Sequence, residues 1–189
     1  MRIDRSFGWL GRFPLAVDLA DTVRVVASQE VELLVDEDSL SSWVAAEMPR
    51  FPAAKGALAH LSEVRVLRDA VRGLLLARTV GGPLDKHHLA LINEASARCP
   101  SFPRLTEGRQ WDTVELNDDP LDVFSAAVAR STMEALKGDA TPLAVCRAPS
   151  CGMLFVPANQ RQVWCSAGCG NRARVARHAA RVGHTARNG

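Results

Sequence analysis

Four of the chain's five cysteines, Cys146, Cys151, Cys165 and Cys169, fall within 24 residues of one another. Their spacing is C-x(4)-C, thirteen residues, then C-x(3)-C, so two close pairs flank an insert the size of a hairpin. That is the arithmetic of a four-thiolate structural zinc site. Four protein ligands would close the coordination shell and leave no position for a catalytic water. A Cys-x-x-Cys motif is absent, which disfavours dithiol redox chemistry.

The residues between and after the cysteines suit the same purpose. "AVCRAPSCGMLFV" reads as a strand, a turn carrying the first pair, and a return strand. Pro149 bends that turn, and Gly152 allows backbone NH groups to face thiolates. Leu154, Phe155 and Trp164 supply the small core that a module of this size needs around its metal. Ser166 is a candidate N-cap, which puts Cys169 in the first turn of the last helix. The positive end of a helix dipole favours a thiolate-rich centre.

Four thiolates and one zinc ion carry a formal charge of −2, so neighbouring cations offset a cost. At 100° per residue, Arg174, Arg177, His178 and Arg181 share one face of the last helix. Arg172 falls on the opposite side and is expected to pack back on the finger or the N-terminal domain, hydrogen-bonding thiolates or carbonyls behind the ligands. Asn171 reads either as a thiolate or backbone partner or as a nucleic-acid contact. A helix face with three arginines and no acid is the footprint of a phosphate-binding element, and the guanidinium fork suits phosphate and guanine edges better than lysine does. A merely solvated basic face is the alternative. Arg187 in the tail would add a phosphate contact.

The chain-wide charge of +2 conceals a division. Residues 1–145 hold 16 Lys and Arg against 21 Asp and Glu, whereas residues 146–189 hold seven arginines and no acid. Such asymmetry points to a basic module attached to a neutral-to-acidic body. No apolar run is long enough to span a membrane, and Asp18 and Asp21 interrupt the N-terminal stretch where a signal peptide would be apolar. The expectation is a cytoplasmic protein.

The body must position this module. "LAVDLA" (15–20) alternates apolar and polar residues with the period of a strand, and residues 22–36 read as two strands around a turn at Ser28–Glu30. "SLSSWVAAEM" reads as a short helix. Leu61, Val64, Leu67, Val71, Leu74 and Leu75 recur at helical spacing over 60–79, and residues 84–98 repeat the pattern. A second hairpin is expected over 101–118. Asp119 as N-cap, Pro120 at the first helical position and Gly138 at the end bracket a further helix, with a linker at 139–142. The fold class is therefore α+β: a helix-dominated domain with short hairpins over 1–140, and a hairpin-plus-helix finger of treble-clef type over 141–189.

The body shows no phosphate loop and no catalytic triad. His87 and His88 lack partners of ligand or nucleophile spacing and read as surface or core-edge histidines. Asp36, Glu37 and Asp38 read as solvated acids ahead of a helix rather than a cation site. Cys99 reads as a buried small apolar residue.

"WCSAGCGNRARVARHAAR", with both cysteine pairs and Phe155 between them, resembles the CGNR zinc-finger family, named for Cys169-Gly170-Asn171-Arg172. More loosely, "LAVDLADTV", the Trp43 helix and "ALINEA" resemble the ABATE domain that precedes such fingers, described as a stress-induced transcription regulator. One departure is "VPA" at 156–158, where these fingers commonly carry an aspartate. The resemblance implies a non-enzymatic DNA-binding regulator. A protein-docking module and RNA binding are the other readings. A single finger helix buries little surface, so specific DNA binding calls for a homodimer. The N-terminal domain would sense a small-molecule effector, dimerise, or do both.

Overall fold

The computed structural model describes residues 7, 10–26, 29–137 and 142–185, with side chains, that of Val26 excepted, as far as Arg181. The expectations for Ser28, Gly138, residues 139–141 and Arg187 lie outside these residues.

Helix α1 (Leu15–Ala20) is the hub of the body, and all six of its residues are buried. Its alternation had suggested a strand. Instead Pro14 starts a helix, and a helix enclosed on every side carries apolar residues all round rather than along a stripe. Strands β1 (Val23–Val26) and β2 (Gln29–Glu32) follow as an antiparallel hairpin. Val26 faces Gln29, so Gln29 and Glu30 belong to the strand, not to the expected turn.

Helix α2 (Glu37–Glu47) begins two residues before Ser39 because Asp36 takes the N-cap. Asp36 Oδ1 accepts from Ser39 N at 2.8 Å and Ser39 Oγ accepts from Asp36 N at 3.0 Å, a capping box with Glu37 and Asp38 in the first turn. The acidic trio thus starts a helix. Trp43 of α2 is fully buried and meets Phe124 edge-on, ring centroids 6.2 Å apart.

A 3₁₀ turn over Pro52–Ala57 then crosses the start of α5 (Pro120–Leu136). A Cβ at Gly56 would lie 1.7 Å from Pro120 O. The clash is with backbone and cannot be relieved by a rotamer, so Gly56→Ala is expected to destabilise the protein by about 3 kcal/mol. A urea melt beside wild type checks this.

Helix α3 (Leu61–Thr79) buries Val64, Leu67, Val71, Leu74 and Leu75, as its spacing predicts. It also buries Arg68 and Arg72, which the spacing does not predict. Arg68 donates to both oxygens of Glu32 on β2, at 2.9 and 2.6 Å, and so ties helix to hairpin through a bidentate pair. Helix α4 (Lys86–Arg98) starts at Asp85, whose Oδ1 accepts from His88 N. His88 lies over Gly73 of α3, where a Cβ would come within 2.6 Å of Nδ1. It is a packing residue at the edge of the core, and His87 is exposed. Cys99 is buried with Sγ 3.6 Å from Asn117 O.

Strands β3 (Ser101–Leu105) and β4 (Trp111–Glu115) form the second hairpin. It projects into solvent, with Leu105 61% and Trp111 75% exposed. Asp119 caps α5 and Pro120 opens it. The finger then consists of β5 (Ala144–Val145), β6 (Leu154–Phe155) and α6 (Ala167–Thr185).

The finger is seated in the body. Leu154 is fully buried and belongs to the main core, and Leu143 and Val145 pack against it. Leu154 N donates to the buried Asp21 Oδ1 at 2.9 Å. Gly152 has a φ of +61°, and a Cβ there would lie 2.9 Å from Val25 Cγ2. Phe13 packs against both the main core and the finger's own cluster. Among the described residues no helix is long and apolar enough to cross a membrane.

Candidate metal centre

The β5–β6 pairing sets Ala144 opposite Phe155 and Val145 opposite Leu154, and Cys146 N donates to Met153 O at 2.8 Å. The chain between turns tightly, with Ser150 and Gly152 at positive φ and Cys151 N bonded to Ala148 O. This turn holds the first cysteine pair. The second pair comes from the segment entering α6 and from its first turn. Ser166 caps that helix, its Oγ accepting from Cys169 N at 3.2 Å and its carbonyl from Gly170 N at 3.1 Å.

The four sulfurs all lie within 4.8 Å of one another. Cys151–Cys165, Cys165–Cys169 and Cys169–Cys151 are 3.7, 3.5 and 3.6 Å apart. A tetrahedron with zinc–sulfur bonds of about 2.3 Å has edges of about 3.8 Å, so these sulfurs stand where zinc requires them. Cys146, Cys151 and Cys169 are buried and Cys165 is half-buried. The chemistry of the donor set and its spacing both fit a structural zinc ion. Bound there, the ion would join the hairpin turn to the start of α6.

The electrostatics of the thiols point the same way. Hydrogen bonds from Cys151 and Cys165, with the backbone amides of Cys165 and Ala148, hold the Cys146 thiol well below its ordinary range. Cys151 and Cys165 are pushed up, chiefly by Cys146. Four thiols this close cannot all ionise without a cation among them, and a divalent metal removes that conflict.

The last helix is organised around this centre. A Cβ at Gly170 would come within 3.1 Å of Trp164 Cδ1, so the indole packs closely against the start of the helix. Arg172 Nη2 lies 3.0 Å from Cys169 Sγ and adds positive charge beside the thiolates. The Asn171 side chain is exposed and makes no hydrogen bond among the described residues. From Arg174 to Arg181 every residue is exposed, including Arg174, Arg177, His178 and Arg181. Arg177 Nε donates to Ala173 O at 3.3 Å.

Comparison with protein-family models gives two adjoining matches. A CGNR zinc-finger model matches residues 143–182. A model described as "ABATE: putative stress-induced transcription regulator" matches residues 14–139, well over half of the chain. The chain belongs to the ABATE family. As an ABATE protein with a CGNR finger it combines a regulator-type domain with a four-cysteine metal-binding cluster. No curated protein matches the chain.

This ABATE domain contains one group of residues that pattern reading missed. Asp18, Asp21 and Glu47 are all fully buried. Asp18 Oδ2 pairs with Arg50 at 3.1 Å, while Asp18 Oδ1, Asp21 Oδ2 and both Glu47 oxygens accept no hydrogen bond among the described residues. Burial raises Asp18 to about 6 and Glu47 to about 7, the two also acting on each other. Asp21 is raised well above the usual carboxylate range, again by burial. The available signal was the pair of acids inside the apolar run 15–23, which only a buried, partnered role would tolerate.

Proposed function

We propose that this chain is a cytoplasmic, zinc-dependent DNA-binding transcription regulator and not an enzyme. The observation that carries this reading is α6. Its first turn is fastened to the metal centre, and beyond Ala173 its described side chains are all exposed. The helix holds Arg172, Arg174, Arg177 and Arg181 and no acid. At 1.5 Å per residue, residues 174–185 extend about 18 Å, and a bare helix of that kind fits a major groove about 12 Å wide. Arg174, Arg177, His178 and Arg181 line one face and would contact phosphates or base edges. Arg172 and Asn171 sit at its root, where Arg172 supports the thiolates. The four-thiol shell has no open position, which supports a structural metal rather than a catalytic one.

RNA recognition has less support, because Phe155 is fully buried and Trp164 lies against Gly170, so neither is free to stack on a base. A homodimer belongs to the proposal, since two helices would read two half-sites. The projecting β3–β4 ribbon, with Leu105 opposite Trp111, offers such a pair an apolar surface.

The test is duplex binding by zinc-loaded protein across a salt series. Affinity should fall steeply with salt, and Arg174→Ala, Arg177→Ala, Arg181→Ala combined should reduce the slope of log K against log salt by roughly 2–3. Absence of binding by wild type at low salt would leave the finger as a protein-docking module.

A further inference from the structure

A groove of about 790 Å³ runs along the seam between the body and the finger. One wall is the end of α3, with Leu76, Ala77 and Val80; the other is Leu143, Val145 and Val163 from the finger side. Val80 is 80% and Val163 39% exposed, so apolar side chains stand open to solvent on both walls. The polar groups of the lining are mostly committed elsewhere. Thr79 Oγ1 donates to Leu76 O, and Gln162 donates to Trp164 O and accepts from Ala158 N. Arg147 is the exception. It is exposed, lines the groove, and its guanidinium has no ion pair or hydrogen bond among the described residues. Among the described residues no acid and no second cation lines the groove.

An apolar cleft of several hundred Å³ between two modules, with one convergent polar group, is the usual form of a small-molecule site. We infer that this seam binds a small amphiphilic organic anion: an apolar body between α3 and β5, and one carboxylate or comparable acid on Arg147. The charge complementarity sets the class. One guanidinium at the rim of an apolar trough matches a single acidic head, whereas a polyanion would find no further cation.

The position gives binding a consequence. Arg147 follows the ligand Cys146, Val145 packs on the main core, and Leu76, Ala77 and Val80 belong to the body. A molecule bridging them would hold the finger to the ABATE domain. As the effector site of the proposed regulator it rests on that reading for its role. Its test is ligand binding alone, so either idea can fail without the other.

Octanoate and 1-octanol serve as probes, titrated calorimetrically into the zinc-loaded full chain. Octanoate should bind at one saturable site, about tenfold more tightly than the alcohol, because a charge-assisted hydrogen bond separates them. Arg147→Ala should erase that difference. Ala77→Trp, which fills the trough, should abolish binding of both. Val80→Glu, at a position too exposed to unfold the protein, should weaken octanoate and spare octanol. Zinc content and circular dichroism should match wild type throughout. Lack of saturable binding, equal affinity of acid and alcohol for wild type, or octanoate affinity unaltered by Val80→Glu would overturn the inference.

Discussion

Removal of the metal by a chelator, or Cys151→Ser, is expected to unfold the finger and to lower the melting temperature of the ABATE domain with it. The first effect follows from coordination. Structural zinc in small fingers contributes on the order of 10–16 kcal/mol at neutral pH, and the finger's own cluster holds little beyond the cysteines, Ala148, Met153, Phe155 and Trp164. The second follows from where the hairpin is seated. Leu154 is fully buried in the main core, and its withdrawal leaves a space like that of a large-to-small substitution, which costs about 2–5 kcal/mol. Asp21 would lose its Leu154 N partner at the same time. Calorimetry with and without chelator measures the shift in melting temperature, and hydrogen exchange at the Leu154 amide reports whether the hairpin leaves its seat. An unchanged melting temperature with a protected Leu154 amide would mean that packing holds the finger without the metal.

The metal centre was legible because thiolate ligands must come from cysteine and their spacing is set by a turn and a helix start. The longer helices were legible too: α3 by its apolar period, α5 by Asp119 and Pro120 at its start. What escaped was decided by tertiary contact. The "LAVDLA" segment is too short for period to separate helix from strand, and its burial on all sides selects the helix. The start of α2 moved to Asp36 because a side chain cap outweighed the apolar pattern that had marked Ser39. The apolar period of α3 gives no sign that Arg68 and Arg72 are buried, because the group that matches Arg68 is Glu32, thirty-six residues away. The seating of Leu154 against Asp21 spans 133 residues and leaves no local trace in either stretch.

That seating also makes stability depend on pH in a direction opposite to an ordinary surface acid. Asp18, Asp21 and Glu47 all have raised folded-state pKa values, to about 6 for Asp18 and about 7 for Glu47, because burial disfavours their charged forms. In the unfolded chain they ionise near pH 4. The stability they contribute is therefore complete below about pH 4 and is lost as pH rises through the folded values. Burial outweighs Arg50 and Gly11 N, which both favour the charged form of Asp18. Zinc-loaded protein should thus lose on the order of 4 kcal/mol between pH 5 and 8 from Asp18 and Glu47, and Asp21 adds a loss of the same sign. Metal ligation works the other way, because thiols give up protons to bind and affinity rises with pH. Two isosteric variants separate the contributions. Asp21→Asn keeps an oxygen for Leu154 N, and Glu47→Gln keeps a donor beside Asp18, so neither disturbs the zinc ligands. Urea denaturation of zinc-loaded protein at intervals from pH 5 to 9 should show a falling stability for wild type and a flatter profile for each variant. Parallel profiles in wild type and both variants would mean that these acids are ionised in the folded core, with Arg50 and Arg72 carrying their charge.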